Sequence, residues 1–212
     1  MTERIGPEDD DLLLVIDVQN DFCGGGALAV PEGEAVVPVI NALAGRFGHI
    51  VLTQDWHPAG HLSFASSHPG RQPFETAELG YGPQVLWPDH CVQGTQGAAF
   101  HAELALPQAE LVLRKGFRPA IDSYSAFFEN DQKTPTGLGG YLRERGLGRV
   151  FLCGLATDFC VQFSALDARR LGFETVLIED ACRAIDLEGS LAAARAGMAE
   201  AGVLTVTAGQ IG

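Results

Sequence analysis

The chain has 212 residues, of which 46% are hydrophobic and 19% are charged. This balance excludes an intrinsically disordered chain and predicts one compact core in a single domain over residues 1–212. The formal net charge is −13, and only 14 lysines and arginines are spread along the chain, which argues against a nucleic-acid partner because phosphate binding needs clustered cations. We therefore expect a small-molecule partner.

The start of the chain, residues 1–10, is acidic and lacks the basic and apolar segments of a secretory signal. No apolar run approaches the roughly 18 residues that a membrane span requires. We therefore expect a cytoplasmic protein without a membrane partner. The sequence does not decide whether the chain forms a homo-oligomer. In a reducing compartment, five cysteines without C-x-x-C pairs predict free thiols rather than disulfides. They are Cys23, Cys91, Cys153, Cys160 and Cys182.

The first predicted elements are a strand, a helix and a second strand. Residues 12–18 form a continuous apolar run interrupted only by an aspartate, typical of a strand buried on both faces of a parallel sheet. Apolar residues at helical spacing predict a helix over about 33–47, and a strand follows over 50–53. Residues of about 54–100 are rich in His, Pro, Gly and aromatics. Loops of that length in compact domains are usually functional, so we predict that this region carries part of the site.

Regular alternation resumes beyond this loop region. The predicted elements are strand 110–114, helix 136–145, strand 150–153, helix 158–171, strand 174–178, helix 187–201 and strand 203–206. Repeated β–α units predict an α/β protein, a three-layer α/β/α sandwich with a mainly parallel central sheet of about six strands. In such sheets, ligands bind beyond the carboxyl ends of the strands, where the strand order reverses.

Three residues at or just beyond predicted strand ends suggest nucleophilic chemistry. Cys160 follows a strand and a Gly turn and lies in the first turn of a helix, where the helix dipole and free N–H groups lower a thiol pKa and can bind an oxyanion. Asp17 could accept the thiol proton, and Lys115 could bring the thiol pKa near neutral. The alternatives are a space-filling cysteine and a simple Asp–Lys ion pair or turn cap. The occurrence of all three residues at strand ends favours a catalytic role over these alternatives.

A second group of residues suggests a metal site. Asp55 and His57 lie two positions apart just after a strand, and such a mixed oxygen and nitrogen set suits Zn²⁺, Fe²⁺ or Mn²⁺. His90 in the same loop region favours this interpretation over exposed or core histidines. His61 and His68 are ambiguous and are left out of the predicted ligand set.

Six segments together resemble the nicotinamidases, within the isochorismatase-like cysteine hydrolases. They occur in the order found in that family and extend over about the whole chain. The segments are residues 17–22 with 25–28, 53–58 with 61–65, 87–91, 114–116, 122–127, and 154–160 with 175–180.

This resemblance implies a set of catalytic groups. Asp17, Lys115 and Cys160 fall on the catalytic triad of the family. The backbone N–H groups of Ala156 and Cys160 would form the oxyanion hole, with a cis peptide bond between Leu155 and Ala156.

The resemblance also implies one divalent metal ion. Asp55, His57 and His90 would hold it, water would fill the remaining positions, and Ser63 would contact one of those waters. Some members of the family add a further histidine or a glutamate, and the gap between His57 and His61 is shorter here.

The implied activity is the conversion of nicotinamide to nicotinate and ammonia in NAD salvage, with pyrazinamide as a further substrate. The metal would bind the pyridine nitrogen, Phe22 and Trp87 would sandwich the ring, and Tyr124 and Ala156 would complete the pocket. One alternative is a related cysteine amidase for a carbamoyl or ureido substrate. A metal-dependent binding or redox module is another, while Cys160 disfavours an isochorismatase proper, which cleaves a vinyl ether without a cysteine nucleophile.

Overall fold

A computed structural model describes residues 5–212, which contain eight strands and four α-helices. The strands are β1 (Asp11–Ile16), β2 (His49–Asp55), β3 (Thr76–Leu79), β4 (Gly82–Val85), β5 (Leu111–Lys115), β6 (Arg149–Leu155), β7 (Glu174–Arg183) and β8 (Leu204–Val206). The helices are α1 (Val36–Ala44), α2 (Leu138–Arg145), α3 (Gln162–Arg170) and α4 (Ser190–Glu200). The prediction about the acidic start of the chain falls partly outside the described residues.

Six strands form one parallel sheet in the order β5-β2-β1-β6-β7-β8. The chain moves outward from β1 through β2 to β5 and then returns to the other side of β1 at β6. The strand order therefore reverses between β1 and β6, which is where parallel sheets of this kind bind ligands. The carboxyl ends of β5, β2, β1 and β6 lie side by side at this point.

Helices cover both faces of the sheet. The connections from β1 to β2 and from β6 to β7 run in opposite directions across the sheet, and right-handed crossovers therefore place α1 and α3 on opposite faces. α1 packs against β6 and β7, and α3 packs against β7 and α4. Every residue of β1 is buried, which explains its continuous apolar run. The predicted three-layer α/β fold is confirmed.

The structure differs from the prediction at helix starts and in the loop region. The predicted helix 33–47 begins with a 3-10 turn, Gly33–Ala35, and the predicted helix 187–201 begins with another, Leu187–Gly189. Residues 54–100 are not wholly irregular, because β3 and β4 pair there as an antiparallel hairpin. Strands of four residues are too short to produce a recognisable period in the sequence. None of the helices between residues 5 and 212 has both the length and the apolar character needed to cross a bilayer.

Gly154 allows the ends of β1 and β6 to approach closely at the place where the strand order reverses. Its φ is +113°, and a Cβ atom added there would lie 2.1 Å from the Ile16 carbonyl oxygen of the neighbouring strand. The pairing of β6 with β7 also shifts register between Leu152 and Gly154. A side chain at this position would push apart the two strand ends that carry Asp17 and Cys160.

We expect Gly154→Ala to lower the free energy of unfolding by about 3 kcal/mol or more, because it combines a steric clash with an unfavourable φ. Urea denaturation measures the change. Gly45→Ala is the matched control, since Gly45 has a φ of −69° and open space around its Cα, and it should change stability by about 0.5 kcal/mol at most. Equal stability of the two variants would contradict this interpretation.

Candidate active site

Lys115 is the centre of a buried charge cluster at the carboxyl ends of the strands. Its Nζ lies 2.8 Å from Asp17 Oδ2, 2.5 Å from Asp55 Oδ1 and 3.4 Å from Cys160 Sγ. It also donates a hydrogen bond to the Ser123 carbonyl at 2.8 Å. The structure thus brings together the three residues predicted to act on the substrate. It adds a contact with Asp55 that sequence reasoning missed.

Asp17 is held rigidly just beyond the end of β1. Its φ is +48°, and its side chain is fully buried. The Thr53 hydroxyl donates to Asp17 Oδ1 at 2.6 Å, whereas Oδ2 faces Lys115. Burial raises the pKa of Asp17, Lys115 lowers it, and the neighbouring Asp55 raises it again, with a net upward shift. A carboxylate with a raised pKa is a suitable proton acceptor.

Cys160 lies in a π-helical turn, Thr157–Val161, that leads into α3. Burial raises the pKa of the Cys160 thiol well above its usual value, and this outweighs the lowering effect of Lys115. The charges of Asp17 and Asp55 raise the thiol pKa further. This direction is opposite to the lowering expected from the helix start and Lys115, because that expectation omitted burial and a second carboxylate. The thiol depends on a base for activation.

The backbone of Ala156 and Cys160 is the predicted oxyanion hole. The peptide bond between Leu155 and Ala156 is cis. Ala156 and Cys160 line the same pocket. That these two N–H groups bind an oxyanion stays a prediction.

Asp55, His57 and His90 form a buried group whose ligand atoms lie within 4.8 Å of one another. Asp55 Oδ2 is 3.5 Å from His57 Nε2 and 3.8 Å from His90 Nε2. One carboxylate thus serves two clusters, since its Oδ1 contacts Lys115 and its Oδ2 faces the histidines. Burial lowers the pKa of His57, but Asp55, Asp122 and the Gly116 carbonyl together raise it, with a net upward shift, so these groups attract positive charge to this point.

Backbone carbonyls orient both histidines for metal binding. His57 Nδ1 lies 2.8 Å from the Gly116 carbonyl, and His90 Nδ1 lies 2.8 Å from the Pro88 carbonyl. A carbonyl only accepts, so Nδ1 carries the hydrogen and Nε2 can present a lone pair. His57 Nε2 is buried and has no hydrogen-bond partner among residues 5–212. An unsatisfied buried nitrogen beside a carboxylate fits a divalent cation.

The other histidines of the loop region lie outside this group. His61 uses both ring nitrogens, with Nδ1 2.8 Å from Ser63 Oγ and Nε2 2.8 Å from the Arg118 carbonyl. Its ring packs against His57, with 4.6 Å between ring centroids. His68 Nε2 contacts the Leu62 carbonyl at 2.7 Å. His61 therefore packs against the His57 ring, and Ser63 is hydrogen-bonded to His61.

Asp122 is a site residue that sequence reasoning did not select. It is buried, it lines the pocket, and its Oδ1 lies 3.9 Å from His57 Nε2. Its Oδ2 accepts a hydrogen bond from Gln84 Nε2 at 3.1 Å. The one signal in the sequence was its position at the start of the 122–127 segment, because its partners come from other loops.

One pocket is lined by Cys160 and also by Asp55 and His90, and so joins the two clusters. All the predicted substrate contacts line it, and Trp87 packs edge-on against Phe159 and Tyr124. Leu28, Phe159 and Ile185 complete the apolar wall and were not predicted. The lining residues are Phe22, Leu28, Asp55, Trp87, His90, Asp122, Tyr124, Ala156, Phe159, Cys160 and Ile185.

Comparison with known proteins identifies the family. Residues 11–210 match the Isochorismatase domain. This chain belongs to the isochorismatase family. Within that family it is 55% identical, over 199 residues, to a nicotinamidase of Acinetobacter baylyi, a match that covers 94% of this chain and 93% of the relative. The resemblance inferred from the six segments is confirmed.

Solved structures of the isochorismatase family give the same result. An Acinetobacter baumanii nicotinamidase and pyrazinamidase superimposes with a TM-score of 0.94 at 56% identity, over 95% of this chain and 98% of that one. PnC1 from L. infantum, solved in complex with nicotinate, superimposes with a TM-score of 0.87 at 41% identity, over 99% and 98% of the two chains. The fold described above therefore belongs to a known architecture.

We expect His57→Ala to weaken Zn²⁺ binding by more than about 100-fold, because changes to outer-shell groups alone cost about 10–100-fold. Competition with a chromogenic chelator measures the affinity. His68→Ala is the matched control, since His68 belongs to the same loop region but lies outside the ligand group, and it should bind Zn²⁺ as the wild type does. Equal losses in both variants would contradict the assignment.

Proposed function

We propose that this chain is a cysteine amidohydrolase that converts nicotinamide to nicotinate and ammonia. The observation that carries the proposal is one pocket in which the Cys160 thiol and the metal-type ligands Asp55 and His90 face the same space. Nicotinamide presents a ring nitrogen and a carboxamide on one rigid ring. Its nitrogen suits the cation site, and its carboxamide suits the thiol.

The relatives support this substrate. The similar proteins of A. baylyi and A. baumanii carry the name nicotinamidase, and the L. infantum protein binds nicotinate, the product of the proposed reaction. Phe22 and Trp87 provide the aromatic walls that a flat heterocycle requires. A linear carbamoyl or ureido substrate has no ring for these walls to contact.

In the first half of the proposed reaction, Cys160 attacks the carboxamide carbon. Asp17 Oδ2 accepts the thiol proton, since among residues 5–212 it has no partner other than the Lys115 ammonium. Lys115 stabilises the thiolate by charge. The N–H groups of Ala156 and Cys160 stabilise the tetrahedral oxyanion. Asp17 returns the proton to the amide nitrogen, the C–N bond breaks, and ammonia leaves a thioester behind.

In the second half, water hydrolyses the thioester. Asp17 accepts a proton from the attacking water, the new C–O bond forms, and the C–S bond breaks. The proton held by Asp17 then returns to the Cys160 sulfur, and nicotinate leaves. The raised pKa of Asp17 suits a group that must both accept and donate a proton in each cycle.

The bound cofactor in this proposal is one divalent ion, Zn²⁺, Fe²⁺ or Mn²⁺. Asp55, His57 and His90 would hold it, and one carboxylate with two imidazoles suits all three metals. When bound, the ion supplies a Lewis-acid contact for the ring nitrogen and so orients the carboxamide toward the thiol.

We also infer a second substrate and the cellular setting of the reaction. Pyrazinamide carries a ring nitrogen in the same relation to its carboxamide and is a second substrate. Five free cysteines suit the reducing cytoplasm. Release of nicotinate from nicotinamide there would serve NAD salvage.

We expect Cys160→Ala to lower ammonia release from nicotinamide by at least about 10³-fold, because it removes the nucleophile. Calorimetric titration should show that the variant still binds nicotinate. Cys23→Ala is the matched control, since Cys23 is another buried cysteine, outside the pocket, with a pKa raised to about 11. It should keep the wild-type rate, and substantial turnover by Cys160→Ala would rule out the covalent mechanism.

Removal of the metal with a chelator should raise the KM for nicotinamide by about tenfold or more, because one strong contact with the ring nitrogen is lost. Benzamide tests the cause, since it has the same carboxamide on a ring without nitrogen. Its KM should be the same with and without chelator. An unchanged KM for nicotinamide would contradict the anchoring role of the metal, and an equal rise for both amides would indicate general damage to the pocket.

A further inference from the structure

A buried glutamine outside the central sheet lies directly behind the pocket. Gln84 belongs to β4 of the small hairpin, only 2% of its surface is exposed, and it does not line the pocket itself. Burying a side-chain amide is unfavourable unless its polar atoms are hydrogen-bonded. The Gln84 amide is hydrogen-bonded on both sides, and its partners include two residues that line the pocket.

The orientation of this amide is determined by its neighbours. The Tyr124 backbone N–H, which can only donate, contacts Asn130 Oδ1 at 2.9 Å and so fixes the orientation of the Asn130 amide. Asn130 Nδ2 then donates to Gln84 Oε1 at 3.0 Å, and the Tyr81 hydroxyl donates to the same oxygen at 3.0 Å. Gln84 Nε2 is thereby directed to the opposite side, toward the Tyr124 hydroxyl.

Gln84 and Trp87 together fix the position of the Tyr124 hydroxyl. Gln84 Nε2 lies 2.7 Å from the hydroxyl oxygen, and Trp87 Nε1 lies 3.0 Å from it. Both nitrogens are donors only, so the hydroxyl oxygen is the acceptor in both contacts. Gln84 Nε2 shares its two hydrogens among the Tyr124 hydroxyl, Asp122 Oδ2 and the Val85 carbonyl, which lies 2.8 Å away. Tyr124 and Trp87 both line the pocket, and this shared contact holds the two rings in one arrangement.

The same amide nitrogen also faces the opposite part of the pocket. It lies 3.1 Å from Asp122 Oδ2, and Asp122 Oδ1 is 3.9 Å from His57 Nε2. Gln84 therefore connects the aromatic wall to the wall beside the candidate metal ligands. A ring that contacts both walls binds well only when their separation is fixed in advance.

We propose that Gln84 is a positioning residue for the substrate ring, which acts through Tyr124 to fix the distance between the aromatic wall and the metal-facing wall. This inference rests on the proposed nicotinamidase function. Gln84 contacts neither the substrate nor the reacting atoms. Its loss therefore affects binding of the ring much more than the chemical step.

The first test is Gln84→Met, which keeps the length of the side chain and removes all its hydrogen bonds. The KM for nicotinamide should rise about tenfold while kcat stays within about threefold, because the hydrogen bonds hold the binding walls and not the thiol. Glu78→Gln is the matched control, since Glu78 is exposed on β3 of the same hairpin. It should keep the wild-type KM.

A double-mutant cycle separates positioning from general loosening of the hairpin. Tyr124→Phe removes the hydroxyl that Gln84 holds, so adding Gln84→Met to it should raise the KM by less than about twofold more. If Gln84→Met instead loosened the hairpin in general, it would raise the KM by the same factor with or without the Tyr124 hydroxyl. A wild-type KM in Gln84→Met, or independent effects in the cycle, would overturn the proposal.

A second substitution covers the case in which Gln84→Met does not fold. Gln84→Glu has nearly the same shape and keeps the acceptor for Asn130 and Tyr81, but it turns a carboxylate oxygen toward Tyr124 and Asp122. We expect a rise in KM at least as large as in Gln84→Met, because the donor is lost and like charges face each other. A wild-type KM in this variant would also overturn the proposal.

A measurement without substrate distinguishes failure of this proposal from failure of the proposed function. The chain has two tryptophans, so in a Trp56→Phe background the emission reports on Trp87. Gln84→Met should shift that emission to longer wavelength and increase its quenching by acrylamide, because Trp87 loses its fixed partner. Absence of ammonia release by the wild type would contradict the proposed function. Unchanged Trp87 emission would contradict the role of Gln84, whatever the substrate.

Discussion

The buried ammonium group of Lys115 is the interaction on which the rest of the site depends. It lies between two buried carboxylates and the Cys160 thiol, and removing one partner of such a buried pair costs about 3–5 kcal/mol. Asp55 belongs to this cluster through one oxygen and to the candidate metal ligands through the other. The two halves of the site are therefore electrostatically linked through one carboxylate.

The sheet topology makes this cluster possible. Parallel strands present their carboxyl ends at one edge, and the reversal of strand order places the ends of β5, β2, β1 and β6 side by side. Lys115 belongs to β5 and reaches across β2 to Asp17, which follows β1. Adjacent strands are about 4.8 Å apart, so only a long side chain can make this contact. Gly154 allows the two inner strand ends to approach closely enough for Asp17 and Cys160 to share one ammonium group.

The burial of the cluster also determines its chemistry. Desolvation raises the pKa of Cys160 and of Asp17, so both groups bind a proton more tightly than they would in water. Activation of the thiol is therefore local and coupled to Asp17. The pocket walls come from outside the sheet, where the loop region and the 122–130 segment contribute aromatic rings and a hydrogen-bonded amide network around Gln84. The sheet thus holds the reacting groups, and the loops hold the ring.

The amino-acid sequence by itself determined the order of the six sheet strands and the four α-helices, though not the β3–β4 hairpin, because burial on both faces leaves continuous apolar runs such as that of β1. It also indicated Asp17, Lys115 and Cys160, since polar residues at the ends of apolar strands are chemically conspicuous. Only the tertiary structure decided the raised thiol pKa, the sharing of Asp55 between two clusters, and the places of Asp122 and Gln84. Those properties depend on distances between side chains far apart in the chain, and a local sequence pattern does not determine such distances.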